Sequence, residues 1–250
     1  ANDPHLGIQM PSIWYQVGLH CTSRNADCQF DVSGFSFAGV PGVVIGHNER
    51  IAWGYTNVGT DVMDLYIEKV NPDNPNQYEV NGEWVDFETR SETFNTGSAA
   101  PVPITVRVSR HGPIISDSFA ALMDQNAYEK ADFVPFRENS GSDLPANYAI
   151  AIQWTALSPS SIFNAIWGLD KAQNWEEFRT AASKFQVPAQ NLVYADVDGN
   201  IGYQMPGNTP IRAGGDGSLP VPGWTDAYEW TGFVPFEAQP YAFNPPEGYV

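Results

Sequence analysis

Turn-forming residues interrupt this chain too often for long helices to form. Twenty-two glycines and twenty prolines are spread over 250 residues, and the apolar runs between them are short. Glycine supplies positive φ, and proline fixes φ while removing a backbone donor, so such punctuation favours short strands joined by turns. Asn81-Gly82 separates QYEV from EWVDF, and a two-residue loop of that composition forms the I′ turn that matches strand twist. The same reasoning predicts a hairpin over 193–204 around Asp198-Gly199, and two strands over 103–115 meeting near His111-Gly112. Helical periodicity shows in two stretches, 158–172 and 174–187. In the second, Phe178, Ala181, Ala182 and Phe185 fall on one face, and Pro188 ends it. From Gly214 onward, GGDG, LPVPGW and FNPPEGYV read as loops anchored by aromatic rings. Nothing repeats at a fixed period, which speaks against solenoids and propellers.

A chain of 250 residues with 42% hydrophobic content can bury a full core, and one large domain, 1–250, is the simplest reading. Its formal charge of −17 repels phosphate backbones and anionic lipid alike, so nucleic acid and membrane surfaces are not expected partners. No apolar run approaches the roughly 18 to 20 residues that span a bilayer. The two cysteines, Cys21 and Cys28, enclose TSRNAD. A hairpin at that spacing closes as a disulfide or leaves two thiols, and the second ligand pair of a zinc site is missing. A disulfide implies an oxidising compartment, periplasmic or secreted, and a signal peptide upstream of Ala1.

Residues 46–68, GHNERIAWGYTNVGTDVMDLYIE, read as strand, tight turn at Asn48-Glu49, strand, then a loop bearing Asp61 and Asp64. Two carboxylates three apart, with carbonyls between them, supply hard oxygens of the kind calcium takes. In so acidic a chain such a pair reads first as solvated surface. DVDGN at 196–200 lacks the glycine at position 6 that an EF-hand loop needs and belongs to the hairpin turn. His5, His20, His47 and His111 show no HExxH spacing, and there is no GxSxG or SxxK serine motif. From the residues alone the chain is an acidic, β-rich globule without a complete catalytic set. It also opens abruptly, with a turn at Asp3-Pro4 and His5 at the entry to an apolar run.

Several segments together resemble the penicillin acylase family of N-terminal nucleophile hydrolases. They are ANDPHL, PGVVIGHNERIAWGYTNVGTDVMDLYIE, NGEWV, RHGPII, NWEEFR, QNLVYADVDGNIGYQMPGNTPIR, LPVPGW and NPPEGYV. The resemblance covers nearly the whole chain, in the order of the family's large, catalytic subunit. It implies an α+β fold, the four-layer α/β/β/α sandwich of antiparallel sheets, with its first strand and C-terminal part outside this stretch. It implies hydrolysis of small N-acyl amides, of penicillin, cephalosporin or acyl-homoserine lactone type, in a parent protein with a small acylase subunit. The nucleophile would be an N-terminal serine whose own amine is its base, placed before ANDPHL, and an oxyanion-holding asparagine would follow NPPEGYV. Taken alone, the chain then reads as an inactive fragment or a binding scaffold. By the same resemblance His5 orients or handles protons beside that serine, or is simply a turn histidine. Asn57 gives a backbone N–H to the oxyanion. Leu6, Val44, Tyr55 and Trp154 stand near the acyl pocket, with core packing the alternative for each. Asp61, Met63 through its carbonyl, Asp64 and Pro210 resemble structural calcium ligands, with two more expected outside the chain.

Overall fold

The computed structural model describes residues 6, 7, 9–95, 97, 100–117 and 147–250. The strands in the first part of the chain are β1 Trp14–His20, β2 Asp31–Phe37, β3 Ile45–Asn48, β4 Ile51–Asn57 and β5 Met63–Lys69. There follow β6 Gln77–Val80, β7 Glu83–Asp86, β8 Glu88–Phe94, β9 Val102–Ser109, β10 Gly112–Pro113 and β11 Tyr148–Trp154. Two helices come next, α1 Ile162–Lys171 and α2 Trp175–Ala182. The chain continues with β12 Gln190–Asp196, β13 Ile201–Gln204, β14 Pro210–Arg212, β15 Val221–Pro222, β16 Trp230–Phe233 and β17 Tyr241–Phe243.

The chain packs as two compact units, each discontinuous in sequence. The first comprises 1–60, 158–209 and 233–250; the second comprises 61–157 and 210–232. In the first, a seven-stranded sheet has the order β1-β2-β3-β4-β12-β13-β17, with every neighbour antiparallel. α1 and α2 lie on it, and the core between them is built from Val32, Trp53, Leu169, Phe178, Leu192 and their neighbours. Leu169, Phe178 and Leu192 are each 0% exposed, and full burial of such side chains contributes about 2 kcal/mol apiece.

The second helix follows its sequence closely. The Asn174 side chain accepts a hydrogen bond from the Glu177 N–H at 2.9 Å, while Glu177 reaches back to the Gln173 N–H. This reciprocal capping fixes the first turn. Phe178, Ala181 and Ala182 then face the core. The sheet's tightest point is the cross-strand pair Gly34 and Gly46. A Cβ at Gly34 would stand 2.1 Å from the Ile45 carbonyl oxygen, and one at Gly46 2.3 Å from that of Ser33. The space is taken by Val43, whose Cγ1 lies 2.7 and 2.6 Å from those two built positions.

The second unit holds a three-stranded sheet β10-β9-β8, another of order β11-β5-β15, and the pairs β6-β7 and β14-β16. β11 runs antiparallel to β5 and β15 parallel to it. The predicted hairpin turns form, while that at Asp3-Pro4 lies outside the described residues. Asn81 and Gly82 take φ of 51° and 89° between β6 and β7. Gly199, at φ 89°, lies between β12 and β13 in the first unit, and β9 meets β10 at Arg110-His111. Three expectations need correction. Asp64 is not in a loop but on β5, where it faces inward. α2 ends at Ala182, turn bonds carry on to Phe185, and the residues from there to Pro188 are irregular. The stretch after Gly214 is less loop-like than expected, because β15, β16 and β17 add short pairings onto existing strands. Cys21 and Cys28 form the disulfide, with Cα atoms 5.9 Å apart. Among the described residues no helix is long and apolar enough to cross a membrane.

Candidate active site

A cavity of about 580 Å³ opens in the first unit, between the sheet and α1. Its apolar body comes from Trp14, Phe37, Val44, Ile162, Ile166 and Phe185, among others. Ile162 and Ile166 are one helical turn apart on α1, so a single helix face supplies both. At the polar end stand Thr56, Asn57 and Gln190. β4 and β12 bring these together, since Gln190 pairs in register with Asn57. The Asn191 side-chain amide donates to the Asn57 carbonyl and to Thr56 Oγ1, both at 3.0 Å, and fixes this end of the strand pair.

Four residues singled out from the sequence meet here: Leu6, Val44, Tyr55 and Asn57 all line the cavity. Val44 is held by its carbonyl, which accepts from the buried indole of Trp53 at 2.8 Å. Burial pushes the Tyr55 hydroxyl well above its ordinary pKa, and the neighbouring Asp170 adds to the shift. Trp154 is not part of the lining; it ends β11 in the second unit and is 42% exposed. His5 lies outside the described residues. The sequence reading missed Trp14, Phe37, Gln190 and the α1 face. Only the last had a usable signal, in the i, i+4 spacing of Ile162 and Ile166. No serine, cysteine or histidine lines the cavity among the described residues.

Of the expected calcium ligands, Asp61 and Asp64 meet in the second unit, around the cation of Arg212. Both oxygens of Asp64 bind the Arg212 guanidinium, Nε and Nη2 each at 2.7 Å, and Oδ2 also accepts from the Trp230 indole at 2.6 Å. Asp61 stands 3.4 Å from the same guanidinium. Asp64 in turn raises the Arg212 pKa. Pro210 opens β14 two residues before Arg212, and Met63 pairs with Trp154 across β5 and β11. Among the described residues no three acidic, histidine or cysteine side chains converge as a metal site. As these side chains stand, both Asp64 oxygens are engaged by Arg212 and Trp230, and calcium at this carboxylate would have to displace or share those partners.

The same face of β5 buries a second charged cluster. His111 has Glu68 Oε1 at 2.7 Å from Nδ1 and Glu229 Oε1 at 2.7 Å from Nε2, and its ring stacks on Tyr66 with 3.7 Å between centroids. His111 is 2% exposed and Glu68 0%, and with the partly exposed Glu229 this cluster ties β5, the β9–β10 turn and the approach to β16 together.

In the first unit Asp31, His20 and Ser33 have the connectivity of a catalytic triad: 2.7 Å from carboxylate to Nδ1 and 3.5 Å from Nε2 to Oγ. They lie on the open face of β1 and β2, with side chains of His20 and Asp31 59% and 44% exposed. None of the three lines the cavity. A reactive centre needs a water-excluding site with oxyanion donors, and this surface trio has neither.

Comparison with known proteins places the chain in a family. The sequence pattern of the penicillin amidase family matches residues 1–250 in full. The chain belongs to that family. The acyl-homoserine lactone acylase QuiP of Pseudomonas fluorescens is 30% identical over 251 residues, covering all of this chain and 27% of that protein. Penicillin G acylase of Escherichia coli is 34% identical over 251 residues, covering all of this chain and 26% of that protein. A solved structure of the thermostable penicillin G acylase from Alcaligenes faecalis superposes with a TM-score of 0.73 at 31% identity. It covers 96% of this chain and 38% of that one. The chain thus spans about a quarter of the length of the curated relatives it matches. Its antiparallel sheets and few helices are the α+β architecture expected of the family.

Proposed function

We propose that this chain supplies the acyl-binding cavity and one backbone oxyanion donor of an N-acyl amide hydrolase acting on penicillin, cephalosporin or acyl-homoserine lactone type substrates. What supports the reading is a single juxtaposition: an apolar cavity of about 580 Å³ that ends at Asn57 and Gln190. An acyl chain buried there gains about 0.8 kcal/mol per methylene and brings its carbonyl to the polar end. The Asn57 N–H then faces the oxygen that gains charge in the transition state, beside a side-chain amide elsewhere in the parent protein. One such donor is worth about 3–4 kcal/mol. In this reading an N-terminal serine of the parent's large subunit attacks, and its own amine takes the hydroxyl proton. The new ester bond forms as the amide C–N bond breaks and the amine leaves with a proton; water then releases the acid. The Cys21–Cys28 disulfide supports a periplasmic or secreted setting.

The test is hydrolysis of N-octanoyl and N-phenylacetyl p-nitroanilides by the full parent protein. Val44→Trp, which fills the cavity, is expected to lower kcat/KM at least about tenfold, the equivalent of roughly 1.4 kcal/mol. A parent protein that cleaves neither amide, or a Val44→Trp variant with unchanged kcat/KM, refutes the reading. Because no serine, cysteine or histidine lines the cavity among the described residues, the 250-residue chain by itself is read as an acyl-binding scaffold. Turnover by that chain above background overturns this second point.

A further inference from the structure

The cavity wall contributed by residues 38–44 is tied down at Val40, Val43 and Val44, and the Val40 and Val44 N–H groups donate to the Phe37 and Phe35 carbonyls at 3.1 and 3.0 Å. Ser36 Oγ donates to the Val40 carbonyl at 3.1 Å, Trp53 Nε1 donates to that of Val44, and the Val43 N–H donates to Asp170 Oδ2 at 3.1 Å. Asp170 sits on α1 one turn beyond Ile166, which itself lines the cavity. Gly42, at φ 103°, presses so close that a Cβ there would stand 2.8 Å from Asp170 Oδ2 and 3.0 Å from an Ile166 methyl. Val43 is therefore fixed twice, by its side chain in the Gly34 and Gly46 notch and by its amide on Asp170. The next residue, Val44, faces the cavity.

Asp170 is 1% exposed, and its Oδ1 has no hydrogen-bond partner among the described residues. Its main-chain carbonyl accepts from the Asn48 side chain, which also caps Ala172 and so anchors the end of α1 to the β3–β4 turn. Helix, turn and wall form one connected set. We propose that Asp170 is a positioning residue of the acyl cavity, whose carboxylate holds the Gly42–Val43 peptide and thereby sets the Val44 side of the acyl site. This rests on the reading that the cavity takes the acyl group.

A buried carboxylate held by one N–H is poised to respond to pH. Burial pushes the Asp170 carboxyl up to about 7, while the Val43 N–H and Lys171 pull the other way. Among the described residues the ionisable groups that bear on it are Lys171, next on its own helix, and Tyr55 from β4. The 38–44 segment and Asn48 bring none. Hydrogen bonds to an ionised acceptor are about twice as strong as neutral ones, so the wall is held more firmly once Asp170 is ionised.

The experiment measures binding of octanamide and phenylacetamide, both uncharged throughout, to the 250-residue chain by calorimetry at pH 5.5 and 8.5. Wild type is expected to bind several-fold more tightly at the higher pH. Asp170→Asn keeps an acceptor for Val43 and is expected to bind with one Kd at both pH values. Asp170→Ala is expected to bind about tenfold more weakly than wild type at pH 8.5. Hydrogen exchange of the Val43 amide through local opening, corrected for its intrinsic pH dependence and for the fall in global stability measured by urea unfolding, gives a readout without ligand: slower at pH 8.5 in wild type and unchanged in Asp170→Asn. Wild-type Kd and Val43 exchange in a folded Asp170→Ala chain overturn the proposal, as does a pH response that survives in Asp170→Asn. If wild type binds neither amide, the cavity reading fails and Val43 exchange alone decides the role of Asp170.

Discussion

Replacing Arg212 by methionine removes a guanidinium and keeps most of its stem. In the wild type that group meets both oxygens of Asp64 at 2.7 Å, and Asp64 is only 3% exposed. Among the described residues the variant leaves this carboxylate with the Trp230 indole alone. Breaking a buried pair by deleting one partner costs about 3–5 kcal/mol. The Asp61 contact, 3.4 Å from a side chain 45% exposed, adds little. The retained indole bond places the expected loss at the lower end, about 3 kcal/mol, which lowers Tm by about 6–12 °C in a chain of this size. Calcium sharpens the comparison. Millimolar calcium is expected to leave the wild-type melt unchanged and to raise that of Arg212→Met, where two carboxylates have lost their counter-charge. Asp64→Asn combined with Arg212→Met is expected to recover most of the loss, because no buried charge is then left unpaired. Differential scanning calorimetry with calcium or chelator reads all three. A loss below about 1 kcal/mol, or a wild type that calcium stabilises, refutes the assignment of Arg212 as the cation of this cluster.

Two further outcomes follow from burial and close contact. Asp170 carries its proton more tightly in the folded chain, at about 7, than in the unfolded one, near 3.9. Its cost to stability is therefore absent below both values and complete above about pH 7. Between pH 5 and pH 8 urea unfolding is expected to show wild type losing about 2.5 kcal/mol relative to Asp170→Asn; parallel stability curves refute it. Gly34→Ala forces a Cβ to 2.1 Å from the Ile45 carbonyl, and a loss of about 3 kcal/mol or more is expected in the same assay; a loss under about 1 kcal/mol counts against the close fit of β2, β3 and Val43.

Local chemistry made the turns legible. Asn81-Gly82 and Asp198-Gly199 declare their conformation in two letters, and Asn174 with Glu177 declares a helix start. The phase of β5 could not be read this way. In MDLYIEK the inward residues are Asp64, Tyr66 and Glu68, while Met63, Leu65 and Ile67 face the other way. Hydrophobic alternation points to the opposite face. The charged face is buried because Arg212, Trp230 and His111 receive it, and the first of these lies 148 positions along the chain. The cavity shows the same division. Val44, Tyr55 and Asn57 were found through family resemblance, whereas Gln190 enters only because β12 returns to pair with β4. Asp170 carried no signal, since a lone acid near a helix end reads as solvated surface until the segment at Gly42 is seen to cover it.

The interleaving of the two units has a consequence for synthesis. The seven-stranded sheet receives its last strand, β17, from residues 241–243, whereas all of the second unit lies between residues 61 and 232. A ribosome feeding the chain from its N-terminus therefore delivers every part of the later-numbered unit before the earlier one has its full set of strands. The first 60 residues must wait with the β4 edge open until β12 and β13 emerge, and the β13 edge then stays open until β17 covers it.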